Sequence, residues 1–257
     1  MKMLCSFTLI LLFCTGNNAY AQPKKISDGT PGKGFLKIRF NNLINNKPVV
    51  LYDSSYVNPF GENYTVNKFK YYVSNTTLYS SGKALKIKND YHLINQAIDS
   101  SLFFTVSLPE NKYDSIHFLL GVDSAMNTSG AQKDALDPMN DMFWTWNSGY
   151  IMQKLEGVSP QSSVINNKFE YHIGGYNGEN SALNYLVFHF EKDKPILIKK
   201  SKITTLTVDV NLDEFWNAAT NIKISETPVC SQPGAMAKRI AFNFSTIFKL
   251  PSIINEN

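Results

Sequence analysis

The 257-residue chain is poor in the residues that staple small domains or carry out their chemistry. It has three cysteines, of which Cys5 and Cys14 fall in an N-terminal stretch that reads as a removable leader, leaving Cys230 alone. A lone cysteine forms no internal disulfide and no Cys-x-x-Cys zinc site, so stability must come from an ordinary core. Cys230 itself reads as a small semi-buried residue. Charge is equally sparse: 25 basic residues stand against 21 acidic ones. So small a balance argues neither for nucleic acid nor for an anionic membrane. Beyond the leader no hydrophobic run is long enough to cross a bilayer. There is no Gly-x-Ser-x-Gly elbow, phosphate-binding loop, His-Glu-x-x-His or dinucleotide fingerprint. With no nucleophile and base to name, binding is a better expectation than catalysis.

What is present begins with export. Lys2, the apolar run Leu4 to Phe13 and Ala19-Tyr20-Ala21 supply the positive region, the hydrophobic region and the cleavage site of a secretory signal peptide. Residues 1–21 are therefore expected to be removed, and the mature protein to be periplasmic or secreted. Phe13 is too bulky to precede a lipidated Cys14. Residues 22–33, polar and rich in Lys, Gly and Pro, predict a disordered leader. Residues 34–257 then predict one domain with no internal repeat.

Within that domain the periodicity is that of strands. In Gly34 to Phe40, Leu36, Ile38 and Phe40 alternate with Phe35, Lys37 and Arg39, giving one apolar face. Further strands are predicted over Pro48 to Tyr52, Phe69 to Tyr79 (with Asn75 at an irregularity), Tyr91 to Ile94, Leu102 to Leu108 and Ser115 to Val122. The pattern continues over Phe143 to Glu156, Lys168 to Ile173, Tyr185 to Phe190, Leu197 to Lys200 and Thr204 to Val210. About ten short strands punctuated by Asn, Asp, Ser, Gly and Pro predict an all-β, antiparallel, Greek-key-like β-sandwich with long loops. One short helix is expected, over Asp213 to Ala219, capped by Asn211 or Asp213. The segment Asp123 to Asp141 reads as an unusually long loop, of the kind that is functional or mobile.

That loop leads into Met142-Phe143-Trp144-Thr145-Trp146-Asn147-Ser148-Gly149-Tyr150, the most aromatic segment of the chain. As a strand it sends Met142, Trp144 and Trp146 to one face. The tryptophans can be core anchors, or an oxidisable group next to a metal. Alternation in Phe169 to Tyr176 turns His172 away from the core. Gly174 and Gly175 beside it permit close backbone approach or positive φ. His172 can be a hydrogen-bonded structural residue or a ligand; His92 and His189 are weaker candidates, and His117 reads as structural. Met142 could assist a soft metal or simply pack.

Several runs together resemble the MbnP-like family. They are Leu120-Gly121-Val122-Asp123-Ser124, Ser129-Gly130-Ala131, Leu136-Asp137-Pro138, Met142 to Tyr150, and Lys154-Leu155-Glu156-Gly157. Tyr171-His172-Ile173-Gly174-Gly175-Tyr176 and the aromatic strand Phe69 to Asn75 match further hallmarks. The resemblance runs from Phe35 to the C-terminus. It implies a periplasmic β-sandwich associated with copper, and a dihaem cytochrome c peroxidase-like partner of the MbnH type that oxidises a Trp of the Trp-x-Trp motif to kynurenine. Carried over, Trp144 is the residue to be modified, Trp146 its neighbour and His172 the best-placed imidazole, with His92 and Met142 as further candidate ligands. No Trp-x-His pair is present, so the ligand set of the kynurenine-copper relatives is not reproduced. The alternative is an exported sandwich whose aromatics bind glycan or protein without metal.

Overall fold

A computed structural model describes residues 32–52, 55–130, 132–144 and 149–255. The signal peptide and nearly all of the leader expected from sequence, and Trp146, lie outside the described residues.

Alternating burial builds two facing sheets. The smaller is centred on β1 (Lys33–Ile44), in which Leu36, Ile38 and Phe40 are buried, as its alternation predicts. The larger is centred on β2 (Asn63–Ser80). Around these lie β3 (Tyr91–Asn95), β4 (Phe103–Pro109), β5 (Ser115–Leu120), β6 (Gly149–Val158), β7 (Lys168–Gly174), β8 (Asn184–His189) and β9 (Ile203–Asn211). A helix, α1 (Ala235–Thr246), and a last strand, β10 (Phe248–Asn255), complete the set.

The larger sheet runs β8-β5-β2-β6-β7 and ends on the short strand Val229–Cys230; β3 also pairs with β2. The smaller runs β10-β9-β1, with β4 along the other edge of β1. Rings from the two sheets meet between them: Phe40 lies against Tyr71 and Phe118 with centroids 6.0 and 6.4 Å apart. The sandwich expected from sequence is therefore the fold. Two of its pairings are parallel, β1 with β9 and β7 with Val229–Cys230. The irregularity expected at Asn75 is a β-bulge, with a register shift between Ser74 and Thr77 and Asn75 at φ 52°.

The expected helix over 213–219 is corrected to one 3-10 turn, Leu212–Phe215, begun by Asn211 accepting from the Asp213 N–H. Phe215 and Trp216, at its end, are buried in the core. The principal helix is α1, whose Ala237, Ile240, Ala241 and Phe244 fall at helical spacing and are buried. Its Phe244 ring meets Phe69, Tyr71 and Phe248. Gly234 begins the helix after Pro233, a start signal that the strand-dominated pattern obscured. Among the described residues no helix is long and apolar enough to cross a membrane.

Candidate functional site

The outward face of the larger sheet carries the candidate residues. Because Phe69, Tyr71, Leu155 and Tyr171 point inward, Lys70, Lys154 and His172 form one cross-strand row outward, and Lys68, Glu156 and Glu170 the next. Two structures cover this face: a patch of apolar side chains and a web of charges.

The apolar patch is a satellite cluster of Tyr72, Val122, Leu136, Met142, Trp144, Tyr150, Ile151 and Met152. The segment 123–141, expected as a long loop, lies over it and is held at many points. Asp123 caps the four-residue helix Ser124–Asn127 and accepts from Tyr91 and Asn75. Buried Asn127 donates to Val122 O and accepts from the Tyr150 N–H. From the sheet, the Tyr72 and Tyr150 hydroxyls and the Lys70 ammonium donate to the carbonyls of Ala135, Leu136 and Asn140 at 2.8–3.0 Å. Three loop carbonyls thus find donors on the sheet.

The charge web is centred on Lys154, whose side chain is only 2 % exposed. Its ammonium lies 2.9 Å from Asp141 and 3.7 Å from Glu156. Lys68 bridges the same two carboxylates at 3.0 and 3.3 Å, and His172 Nε2 sits 2.8 Å from Glu156. Asp141 reaches in from the end of the loop in a left-handed conformation, φ 61°. Burial pushes the Glu156 carboxyl up, but the His172 hydrogen bond and the charges of Lys68 and Lys154 outweigh it and bring it down to about 2. Asp141 is lowered in the same way: burial raises it, while Lys154 and Lys68 prevail.

Trp144 joins the two coverings. It is 6 % exposed and packs into the satellite cluster, its six-membered ring lying directly on the backbone of β7. A Cβ on Gly174 would stand 2.3 Å from Trp144 Cζ3, so only glycine lets the indole sit there. Gly175 follows at φ 113°. Both uses of the glycine pair expected from sequence are realised. On one side of Trp144 is a cleft of about 410 Å³ whose walls include His172, Lys154 and Asp141. On the other is a cleft of about 420 Å³ bounded by Tyr150, Tyr176 and Gly234.

The remaining candidates lie elsewhere. Met142 is fully buried in the satellite cluster and does not line the cleft that holds His172. His92 stacks on Phe104 with centroids 3.5 Å apart, bonds to Asp90 at 2.7 Å and borders a different cleft. Cys230 is buried, and its thiol is pushed up by that burial. Among the described residues no group of three or more His, Cys, Asp or Glu side chains is placed to hold a metal ion. With Trp144 intact, the donors beside it are one imidazole, already bonded to Glu156, and the Asp141 carboxylate, already held by the Lys68 and Lys154 ammonium groups, which repel a cation. That set does not fit copper. Lys68 was not named from sequence, and Lys154 and Glu156 entered in a run that carries the family resemblance, with no role given; their alternation with Phe69 and Leu155 already placed all three on the outward face.

The MbnP family model matches residues 33–232 of the chain. No curated protein matches it. Among solved structures, MbnP from Methylosinus trichosporium superposes with a TM-score of 0.53 at 13 % identity, over 88 % of this chain and 99 % of that one. At that identity the likeness is one of fold.

Proposed function

The chain belongs to the MbnP family, a copper-related family, and on that basis we propose that it is an exported copper-handling protein that binds rather than catalyses. The observation that carries the reading is the seat of Trp144. Its indole walls the same cleft as His172 and lies on a glycine that leaves it room. Oxidation of Trp144 to kynurenine would put an aryl amine and a ketone where the indole ring stands. That adds a nitrogen donor beside His172, in a place where the unmodified chain offers none. In balanced form, two equivalents of peroxide deliver one oxygen each across the indole C2–C3 bond and leave two waters; hydrolysis then releases formate. A dihaem peroxidase-like partner of the MbnH type is the proposed oxidant, drawing electrons from an indole that is 6 % exposed but flanked by clefts on both sides.

The same burial weakens the alternative of an aromatic platform for glycans, since a stacking tryptophan must present its face to solvent. The test is metal analysis of the exported protein made with and without the partner, together with peptide mass spectrometry across Phe143 to Tyr150. Stoichiometric copper with the kynurenine mass at Trp144 is the expected result, and His172→Ala should weaken the copper. Copper bound with intact tryptophans would discard the modification; neither copper nor modification would overturn the reading.

A further inference from the structure

The loop that follows β7 holds the chain's one Asn-Gly step, Asn177-Gly178. Asparagine is chemically labile because its side-chain amide can be attacked by the backbone nitrogen of the next residue, and glycine there offers no Cβ to obstruct the approach. A fold prevents this by burying the asparagine, by bonding its amide or by holding the N–H that would attack. None of these restraints acts on Asn177-Gly178. Both residues are exposed. Neither the Asn177 side chain nor the Gly178 N–H makes a hydrogen bond among the described residues. Gly178 stands at φ 67° in open space, where even a Cβ would meet nothing within 4 Å. Comparable steps are restrained. Asn180-Ser181, in the same loop, has its Ser181 N–H held by the Gly178 carbonyl at 3.2 Å. At Asn75-Thr76 the amide donates to Asp123 and the Thr76 N–H to Asp90. At Asn127-Thr128 the asparagine is buried, its amide bonded to the carbonyls of Val122 and Asp123. On either side of Asn177-Gly178 the loop is anchored, Ser124 donating to the Tyr176 carbonyl and Lys238 to that of Glu179.

We propose that Asn177 is a self-modifying site. The Gly178 nitrogen attacks the side-chain carbonyl carbon of Asn177, and the new C–N bond closes a succinimide ring. The amide nitrogen leaves as ammonia, carrying the proton lost from the Gly178 N–H. Water then opens the ring at either carbonyl, giving aspartate or isoaspartate. In sum one water is taken up and one ammonia released, with no oxidant and no cofactor. The change matters because of where it falls. Asn177 lines the cleft of about 420 Å³ beside Trp144, whose lining includes one charged side chain, Glu179. Conversion adds a second carboxylate to that lining, so the cleft changes its charge as the protein ages.

The test incubates the full folded chain at mildly alkaline pH in water enriched in heavy oxygen and follows its peptides by mass spectrometry. Asn177 should take up one heavy oxygen and gain the mass of an acid in place of an amide. Labelling by an isoaspartyl methyltransferase should mark the isoaspartate share. Conversion should quicken as pH rises, since base removes the proton of the attacking nitrogen. Asn180 should stay an amide in the folded chain and convert once urea unfolds it, because its restraint is the fold. The Asn177→Gln variant, whose longer side chain closes a ring poorly, should lose both the product and the acidic shift on ion exchange. Because the side chain is exposed, that variant should keep the parent unfolding midpoint. The proposal is overturned if Asn177 remains an amide in the folded chain, if Asn180 converts as fast before unfolding, or if the acidic form persists in Asn177→Gln. All of these readouts lie outside the peptide Phe143 to Tyr150, so this proposal and kynurenine at Trp144 fail separately.

Discussion

Trp216 and Trp144 are both almost wholly buried, yet the regions around them are made by different means. Trp216 sits between the sheets, its ring 4.8 Å from Tyr64 and 6.0 Å from Phe169, with its indole N–H donated to the Tyr64 hydroxyl. Its neighbours come largely from strands whose alternation forces them inward. Trp144 sits outside the sandwich, under a segment with little regular structure that is held by single hydrogen bonds from sheet to loop carbonyls. Cooperative packing protects the first tryptophan. The second is protected by a cover whose anchors can be released one at a time, bordered by charges that water can reach. A group meant to react belongs under the second kind of cover, because local opening there costs less than global unfolding.

That contrast can be pressed at three points. The largest effect is expected from Trp216→Ala, which should cost about 3–5 kcal/mol in urea unfolding and shift one cooperative transition for both regions. Two separated transitions would mean that the satellite cluster folds on its own.

Acid should come next and should act on the outer region first. In the folded protein burial raises the Glu156 carboxyl, but His172, Lys68 and Lys154 bring it down to about 2, against an ordinary value of about 4.5. The unfolded chain therefore takes up the proton first as pH falls. The stabilisation is whole above about pH 4.5 and is lost between there and about pH 2, on the order of 2–3 kcal/mol because the pair is partly solvated. Glu156→Gln should lessen the loss of stability across that window, leaving the smaller share that Asp141 carries. A variant as acid-sensitive as the parent would place the sensitivity elsewhere.

The smallest effect is expected from Gly174→Ala, at roughly 1–2 kcal/mol. It should nevertheless push the Trp144 ring off β7, with a red shift in tryptophan emission and, on the proposed function, slower modification by the proposed partner. Unchanged emission would show that the ring finds another seat at no cost.

The inter-sheet region was largely legible in the sequence. Leu36, Ile38 and Phe40, or Phe169, Tyr171 and Ile173, declare their buried side by period two, and His172 is turned outward by the same rule. The satellite region was legible only in part. Gly174 and Gly175 announced a close approach but not what approached. The cover over 123–141 follows no period, so nothing in its composition told that Tyr72, Tyr150 and Lys70 would reach out to its carbonyls. Lys154 could not be recognised as buried, because its burial comes from Asp141, a loop residue distant in sequence and held in place by those same anchors. The last stretch, from Val229 onward, held a helix and a strand whose signals were present in Pro233-Gly234 and in the spacing of Ile240, Ala241 and Phe244.

The parallel pairing at the centre of the smaller sheet sets an order of events. Asn41 and Asp209, whose side chains bond across that pairing, are 168 residues apart in sequence. During synthesis β1 emerges long before β9, and closing so wide a loop is slow even though its entropy cost grows only with the logarithm of length. Until β9 arrives, Leu36, Ile38 and Phe40 lack their neighbouring strand on that edge, and the chain travels with an apolar ribbon open to any holdase or protease it meets. The folded protein keeps that ribbon at the centre of a sheet; the nascent one carries it bare.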